Sequence, residues 1–257
     1  MTVLHALLIL LAGVAAGTIN TIVGSGTLVT FPTLLAFGIP AVNANVSNTL
    51  GLVAGGVSGS LGYRKELVGA GRTVRRLLPM SFLGAATGAL LLIWLPPGWF
   101  NTIVPVLIFI GVLLVVLGPW LQRRAAAAHT DQAATASTAR GIGLLVGIYG
   151  AGVYGGYFGA AQGVLLVGLM SVLMTDPLQR INGIKNILGL VVNAVAAVTF
   201  MIVAWNHIDW RVAGLIAIGS LIGGVLGARV GRRLSPWVLR AVIVVIGVVA
   251  IVQLLRK

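Results

Sequence analysis

The chain is written in apolar runs. Ten stretches, at roughly residues 3–23, 27–38, 44–62, 77–95, 99–121, 141–158, 162–175, 186–205, 211–229 and 237–255, are rich in Leu, Ile, Val, Ala and Gly. Short polar or charged patches separate them. A helix crosses a bilayer with about 20 apolar residues, and most of the runs approach that length. The second run of each half, 27–38 or 162–175, is too short to span comfortably as a straight helix. The pattern predicts an all-α polytopic membrane protein.

The runs come in two sets. NTLGLV at Asn48 returns as NILGLV at Asn186, an offset of 138 (186 − 48). SFLGAATGA at Ser81 returns as SLIGGVLGA at Ser220, an offset of 139 (220 − 81). Upstream, the Gly-rich GTINTIVGSGT at Gly17 faces GVYGGYFGAAQG at Gly152. Collinear matches of this kind predict a tandem duplication. The first transmembrane repeat is residues 1–121 and the second is 141–257. The linker, 122–140, reads as polar, small-residue-rich and only weakly helical.

Charge adds orientation. The chain has 257 residues, 58% of them hydrophobic and only 8% charged, and its net charge is +13. Its mean hydropathy is +1.07. Basic residues of membrane proteins collect in cytoplasmic loops. Arg64, Lys65, Arg72, Arg75 and Arg76 follow the third run, so that loop is expected inside. The uncharged LPPGW after the fourth run is expected outside, and the linker with Arg123, Arg124 and Arg140 inside. In the second half, WNHIDWR after the third run is nearly neutral and expected outside. Arg229, Arg232 and Arg233 after the fourth run are expected inside. Equivalent loops then face opposite sides, so each half crosses an odd number of times. Five and five crossings satisfy this, with both termini outside; so do three and three, if the first two runs of each half form a re-entrant pair. Inverted-topology repeats of this kind are typical of secondary transporters. The N-terminal MTVLHALLILLAGVAAG lacks the basic n-region of a signal peptide, so it is expected to stay as the first helix.

Several chemistries drop out. No basic stripe is interleaved with aromatics, so nucleic acid is not an expected partner. Cysteine is absent, which removes disulfides and thiolate chemistry. The four carboxylates, Glu66, Asp131, Asp176 and Asp209, fall in loops or at membrane edges. His5, His129 and His207 are scattered. No metal-ligand spacing or acid/base pair results, so neither an enzyme nor a cofactor is expected. A buried proton relay would need Asp, Glu or His within a span, and none is predicted there.

Polar residues at membrane depth cluster instead at matching places. In the first half they are Asn20, Thr21, Ser25 and Thr27, then Asn43, Asn45, Ser47, Asn48 and Thr49. In the second they are Tyr154, Tyr157 and Gln162, then Asn182, Lys185 and Asn186. Each set brackets a Gly-rich break and a Pro-marked turn. Broken helices at depth are tolerated where they line a cavity or are buried in protein. Their N-termini attract anions. If the short segments start after the glycines and the third segments near Asn45–Asn48 and Asn182–Asn186, four N-termini converge on one site. Lys185 makes that site neutral to positive, which favours an anion. Plainer roles stay open: Asn20 and Asn193 as interhelical hydrogen bonds, Lys185 as a membrane-edge residue, Asn48 and Asn186 as helix caps. Ser81, Gly84 and Gly88 share one helix face and read as packing. Trp94, Trp99, Trp120, Trp205, Trp210 and Trp237 read as an aromatic belt at segment ends.

The segment GTINTIVGSGTLVTFPTLLAFGIPAVNANVSNTLGL resembles the first motif of the TauE/SafE (sulfite exporter) family of membrane permeases. GGYFGAAQGVLLVGLMSVL with RINGIKNILGLVVN resembles its second copy. The resemblance covers essentially the whole chain. It implies a permease for sulfur-containing anions such as sulfite or sulfoacetate in the cytoplasmic (inner) membrane. Gly24, Ser25, Gly26, Asn45 and Asn48 fall on the first motif, and Gly159, Gln162, Lys185 and Asn186 on the second. The first break reads GSGT rather than three glycines, and Ser25 and Thr27 add hydroxyls there. The expected partners are a small anionic substrate and membrane lipid; a homo-oligomer is compatible with the sequence.

Overall fold

The computed structural model describes residues 2–128 and 137–230, together with Val245. Among the described residues the regular structure is helical, without strands. The first half holds α1 (Val3–Ile22), α2 (Thr27–Ala36), α3 (Ala41–Gly62), α4 (Gly71–Trp94) and α5 (Pro97–Ala128). The second holds α6 (Ser137–Tyr157), α7 (Gln162–Leu173), α8 (Leu178–Val203), a 3-10 turn (Trp205–His207) and α9 (Trp210–Val230). Helices α1, α4, α8 and α9 are long and apolar enough to cross a membrane. The expected run 237–255, Arg232, Arg233, Trp237, His129 and Asp131 lie outside the described residues.

Three sequence expectations change. Asn45–Asn48 and Asn182–Asn186 do not start their helices. Pro40 and Pro177 precede the first residues of α3 and α8, so the asparagines sit inside the helices. Proline fixes φ and has no N–H, which suits a helix entry, and it outweighs the polar signal further on. The linker is not weakly helical at its flanks: α5 runs through Ala128 and α6 begins at Ser137. Alanine is the strongest helix former, and residues 125–128 are all alanine. Trp120 sits inside α5 rather than at its end. Trp94 closes α4, while Trp205 and Trp210 flank the 3-10 turn with ring centroids 4.9 Å apart.

Small residues set how the helices meet. Gly13 lies against Ile216 and Gly219, Gly17 against Ser220, and Gly227 against Thr18 and Thr21, so α1 and α9 run parallel. Gly51 meets Ile216, Gly55 meets Ser220 and Gly62 meets Ala228, so α3 runs parallel to α9 as well. Gly84 meets Tyr149 and Gly152, and Gly88 meets Val153 and Tyr157, so α4 and α6 are parallel. Helix α8 runs against α3: Gly56 packs on Leu190, and Tyr63 at the end of α3 packs on Gly183. An alanine Cβ at Gly88 would fall 2.0 Å from the Val153 carbonyl oxygen. Without a hydrophobic force between helices in lipid, such close approach is how they associate.

The fourth helices are exchanged. Helix α9 packs on α1 and α3 of the first half, and α4 packs on α6 and α8 of the second. The serines expected to pack do so at these seams. The Ser220 hydroxyl donates to Gly51 O (2.8 Å) and accepts from the Gly55 N–H (3.0 Å). The Ser81 hydroxyl donates to Leu188 O (3.4 Å). Helices α3 and α8 meet between the two seams, where the broken ends of α1 and α6 also arrive.

Candidate functional site

Helices α1 and α6 stop in the same way. The N–H groups of Val23 and Gly24 both donate to Ile19 O, at 2.7 and 3.1 Å, with Gly24 at φ +86°. The N–H groups of Phe158 and Gly159 both donate to Tyr154 O, at 3.0 and 3.1 Å, with Gly159 at φ +75°. This is the left-handed glycine stop of a helix, made twice at an offset of 135 (159 − 24). The short helices then begin at Thr27 and Gln162. The two breaks touch. The Gly163 N–H donates to Gly24 O at 3.0 Å, and a Cβ at Gly24 would fall 2.3 Å from the Gly163 Cα.

Beside this crossing lies a small cavity, about 20 Å³ measured to the centre of a water-sized sphere. That is room for a water or two. Of the expected site residues, Asn20, Gly24, Thr27, Gly159, Gln162, Lys185 and Asn186 line it. Thr21 and Asn193 line it too, joined by Leu52, Gly56, Gly163, Gly189 and Leu190, for which the sequence reading had assigned no role. A helical face would have found most of them. Asn186, Gly189, Leu190 and Asn193 recur at three- and four-residue steps on α8, as do Leu52 and Gly56 on α3.

The other expected residues sit elsewhere. Asn45 donates its side-chain N–H to Tyr157 O (2.9 Å), the last carbonyl of α6. The Asn48 amide donates to the Thr27 hydroxyl (3.2 Å), and the Thr30 hydroxyl donates to the Asn48 carbonyl oxygen (2.5 Å). Thr49 donates to Asn45 O (2.9 Å). Ser47 accepts from the Asp209 N–H (2.9 Å) at the start of α9. A Cβ on Gly26 would fall 2.5 Å from Ala16 O, so Gly26 serves packing. Ser25 and Tyr157 are buried, with hydroxyls that lack a partner among the described residues. Asn182 is half-buried and off the cavity wall. Tyr154, one of the clustered polar residues, packs instead: its hydroxyl donates to the Ala160 carbonyl and lies 3.4 Å from the Leu107 carbonyl.

Lys185 is the distinctive group. It is 2% exposed, which removes the membrane-edge reading. Its Nζ donates to Asn20 O (3.1 Å) and Thr21 O (2.9 Å). Asn186 Nδ2 also donates to Thr21 O (3.2 Å). Both carbonyls belong to the last turn of α1, where a helix leaves acceptors unpaired and carries partial negative charge. An ammonium has three donors. Two are spent on α1, and the residue borders the cavity. Gln162 Nε2 is buried at the same cavity and lacks a partner among the described residues. Among the described residues none that lines the cavity is acidic. The wall therefore offers N–H donors and one cation, and its negative groups are the helix-end carbonyls that Lys185 and Asn186 already cover.

Known proteins fit this picture. The model of the family described as "Sulfite exporter TauE/SafE" matches residues 9–254. The probable membrane transporter protein YfcA of Escherichia coli K12 is 26% identical over 247 residues, which is 93% of this chain and 86% of that protein. A probable membrane transporter protein of Haemophilus influenzae is 27% identical over 233 residues, covering 91% and 88% of the two chains. The probable membrane transporter protein ORF9 of a Sinorhizobium species is 26% identical over 254 residues, covering 95% and 90%. No solved structure matches. With one family model running through both helix breaks and every described helix, the chain belongs to the sulfite exporter TauE/SafE family, as a multi-pass membrane transporter and not an enzyme.

Proposed function

We propose that the chain carries small sulfur-containing oxyanions, such as sulfite or sulfoacetate, across the cytoplasmic membrane by alternating access. The observation that carries this reading is the cavity wall. It joins the buried Lys185, two of whose three donors are engaged, to Gln162 Nε2, which lacks a partner among the described residues, and no carboxylate lines it among those residues. Charge-assisted hydrogen bonds to an oxyanion are the strongest contacts such a wall can make. Asn186 and Asn20 border the anion, and Gly24 and Gly159 let the backbone approach it.

The cavity's size supports a carrier. As it stands, at about 20 Å³, the cavity suits a water or two rather than an anion of four heavy atoms, which fits a closed state of a carrier. The two halves, 1–121 and 141–257, are the moving parts in this reading. The opposed directions of α3 and α8, and the exchange of α4 and α9, support a pair of inverted repeats, and the basic loops of the sequence favour both termini outside.

Reconstitution into liposomes tests the proposal. Labelled sulfite, sulfoacetate and thiosulfate should enter with saturation, and an opposing gradient of the same anion should drive counterflow. Flux without counterflow or saturation means a channel. If none of the three anions moves, the substrate class is wrong.

A further inference from the structure

Half-helix C-terminal carbonyls at the middle of a transporter are a usual seat for a coupling cation such as Na⁺. Here the end of α1 has such carbonyls, and Lys185 Nζ lies on two of them, at 3.1 and 2.9 Å. The lysine belongs to α8, so its charge reaches this site from the other half of the chain. The matching end of α6 is finished without charge, since Asn45 Nδ2 holds Tyr157 O. In the register of the NTLGLV repeat, Ser47 stands where Lys185 does (47 + 138), and its hydroxyl is occupied by Asp209 N–H. One of two equivalent helix ends thus carries a built-in cation. Among the described residues no acidic side chain lines the cavity beside it to serve as its counter-ion. An ionisable side chain buried in a membrane span pairs with charges or with backbone carbonyls, and Lys185 has taken the carbonyls.

We infer that the Lys185 ammonium is a tethered cation, seated in the carbonyl site of α1 where a free alkali cation would otherwise bind, so that this transporter works without one. The fixed positive charge also supplies the counter-charge of the anion. Removing it opens a vacant oxygen site made by Asn20 O and Thr21 O, completed by water from the cavity. Hard cations such as Na⁺ take oxygen ligands of this kind. The role as counter-charge rests on the oxyanion reading; the role as cation substitute does not.

The test has two arms. In the first, the purified full chain in detergent is melted in NaCl, KCl, LiCl or choline chloride at equal ionic strength. The wild type should melt at the same temperature in all four. Lys185→Ala and Lys185→Ser should gain a saturable rise with one of the alkali cations, about 2–4 °C at about five times its dissociation constant. The serine variant restores the residue that the first half carries at this register, so it guards against an alanine variant that does not fold. In the second arm, labelled sulfite uptake into proteoliposomes is compared in Na⁺ and in N-methylglucamine at a clamped membrane potential. The wild type should keep its rate within about twofold, while the variants should fall about 100-fold in N-methylglucamine, a change of about 2.7 kcal/mol, and recover in part with Na⁺. A wild type that needs an alkali cation in either arm overturns the inference, whether or not the variants fold. So do folded variants that no alkali cation stabilises. If the melting pattern appears and no anion moves, the tethered cation stands and the oxyanion reading falls.

Discussion

At the end of α1, Ile19 O accepts two N–H groups and Gly24 turns left-handed; at the end of α6, Tyr154 O accepts the same two and Gly159 turns the same way. The backbones are copies. The side chains that arrive from the opposite half are not. Helix α8 brings Lys185 and Asn186 to α1, whereas α3 brings only Asn45 to α6. Asn48, the register partner of Asn186, folds back onto Thr27 and Thr30 of its own half. The two helix ends thus share one backbone geometry, while the buried cation and the cavity beside it lie at the end of α1. If the halves are repeats, as the sequence predicts, their shape is kept and their polar chemistry has diverged.

The largest effect should come from breaking the contact between the two stops. Gly24→Ala adds a Cβ 2.3 Å from the Gly163 Cα at a left-handed φ, whereas the nearest atom to a Cβ at Gly159 is Gly155 O at 3.1 Å. Gly24→Ala is expected to cost about 3 kcal/mol or more, from overpacking plus backbone strain. Gly159→Ala should cost about 1–2 kcal/mol, chiefly from strain. Melting temperatures and folded yields in detergent compare the two; equal losses would mean that the crossing at Gly163 does not matter.

Next comes the charge. Lys185→Met should lower anion flux about 100-fold, or about 2.7 kcal/mol, as the loss of a charged hydrogen-bond donor implies. Asn45→Ala removes the corresponding contact at α6 and should lower it less than about tenfold. Flux at matched protein levels decides this, and a reversed order would move the site to the other helix end.

The two echoed asparagines then separate binding from stability. Asn186→Ala should raise the half-saturating anion concentration about fivefold, a neutral hydrogen bond's worth. Asn48→Ala should leave that concentration unchanged and cost about 1–2 kcal/mol of stability, because two threonine hydroxyls lose their partner. Saturation curves and thermal melts on both variants read out the split. The smallest effect belongs to Ser47→Ala. It frees only a half-buried N–H at the start of α9, so less than about 1 kcal/mol and no change in flux are expected.

Much of the fold was legible. The apolar runs named every described α-helix, whereas the packing of α3 on α8 was not read from the sequence. Helix starts were read less well, because asparagines before an apolar stretch resemble caps and hide the prolines that end the turn. Half of the cavity's lining stood out in the sequence as residues at or near the breaks. Asn48 and Asn186 look identical in sequence, yet only Asn186 reaches the cavity.

By itself the sequence determined a helical membrane protein whose first and sixth helices stop at glycines, because lipid length and hydrogen-bond satisfaction constrain composition strongly and locally. Only the tertiary structure decided that α4 and α9 are exchanged between the halves, and that Lys185 ends on the carbonyls of Asn20 and Thr21. The two Lys185 contacts join residues 165 and 164 positions apart in the chain. Their partners are backbone carbonyls, which every residue carries and no pattern of side chains can mark.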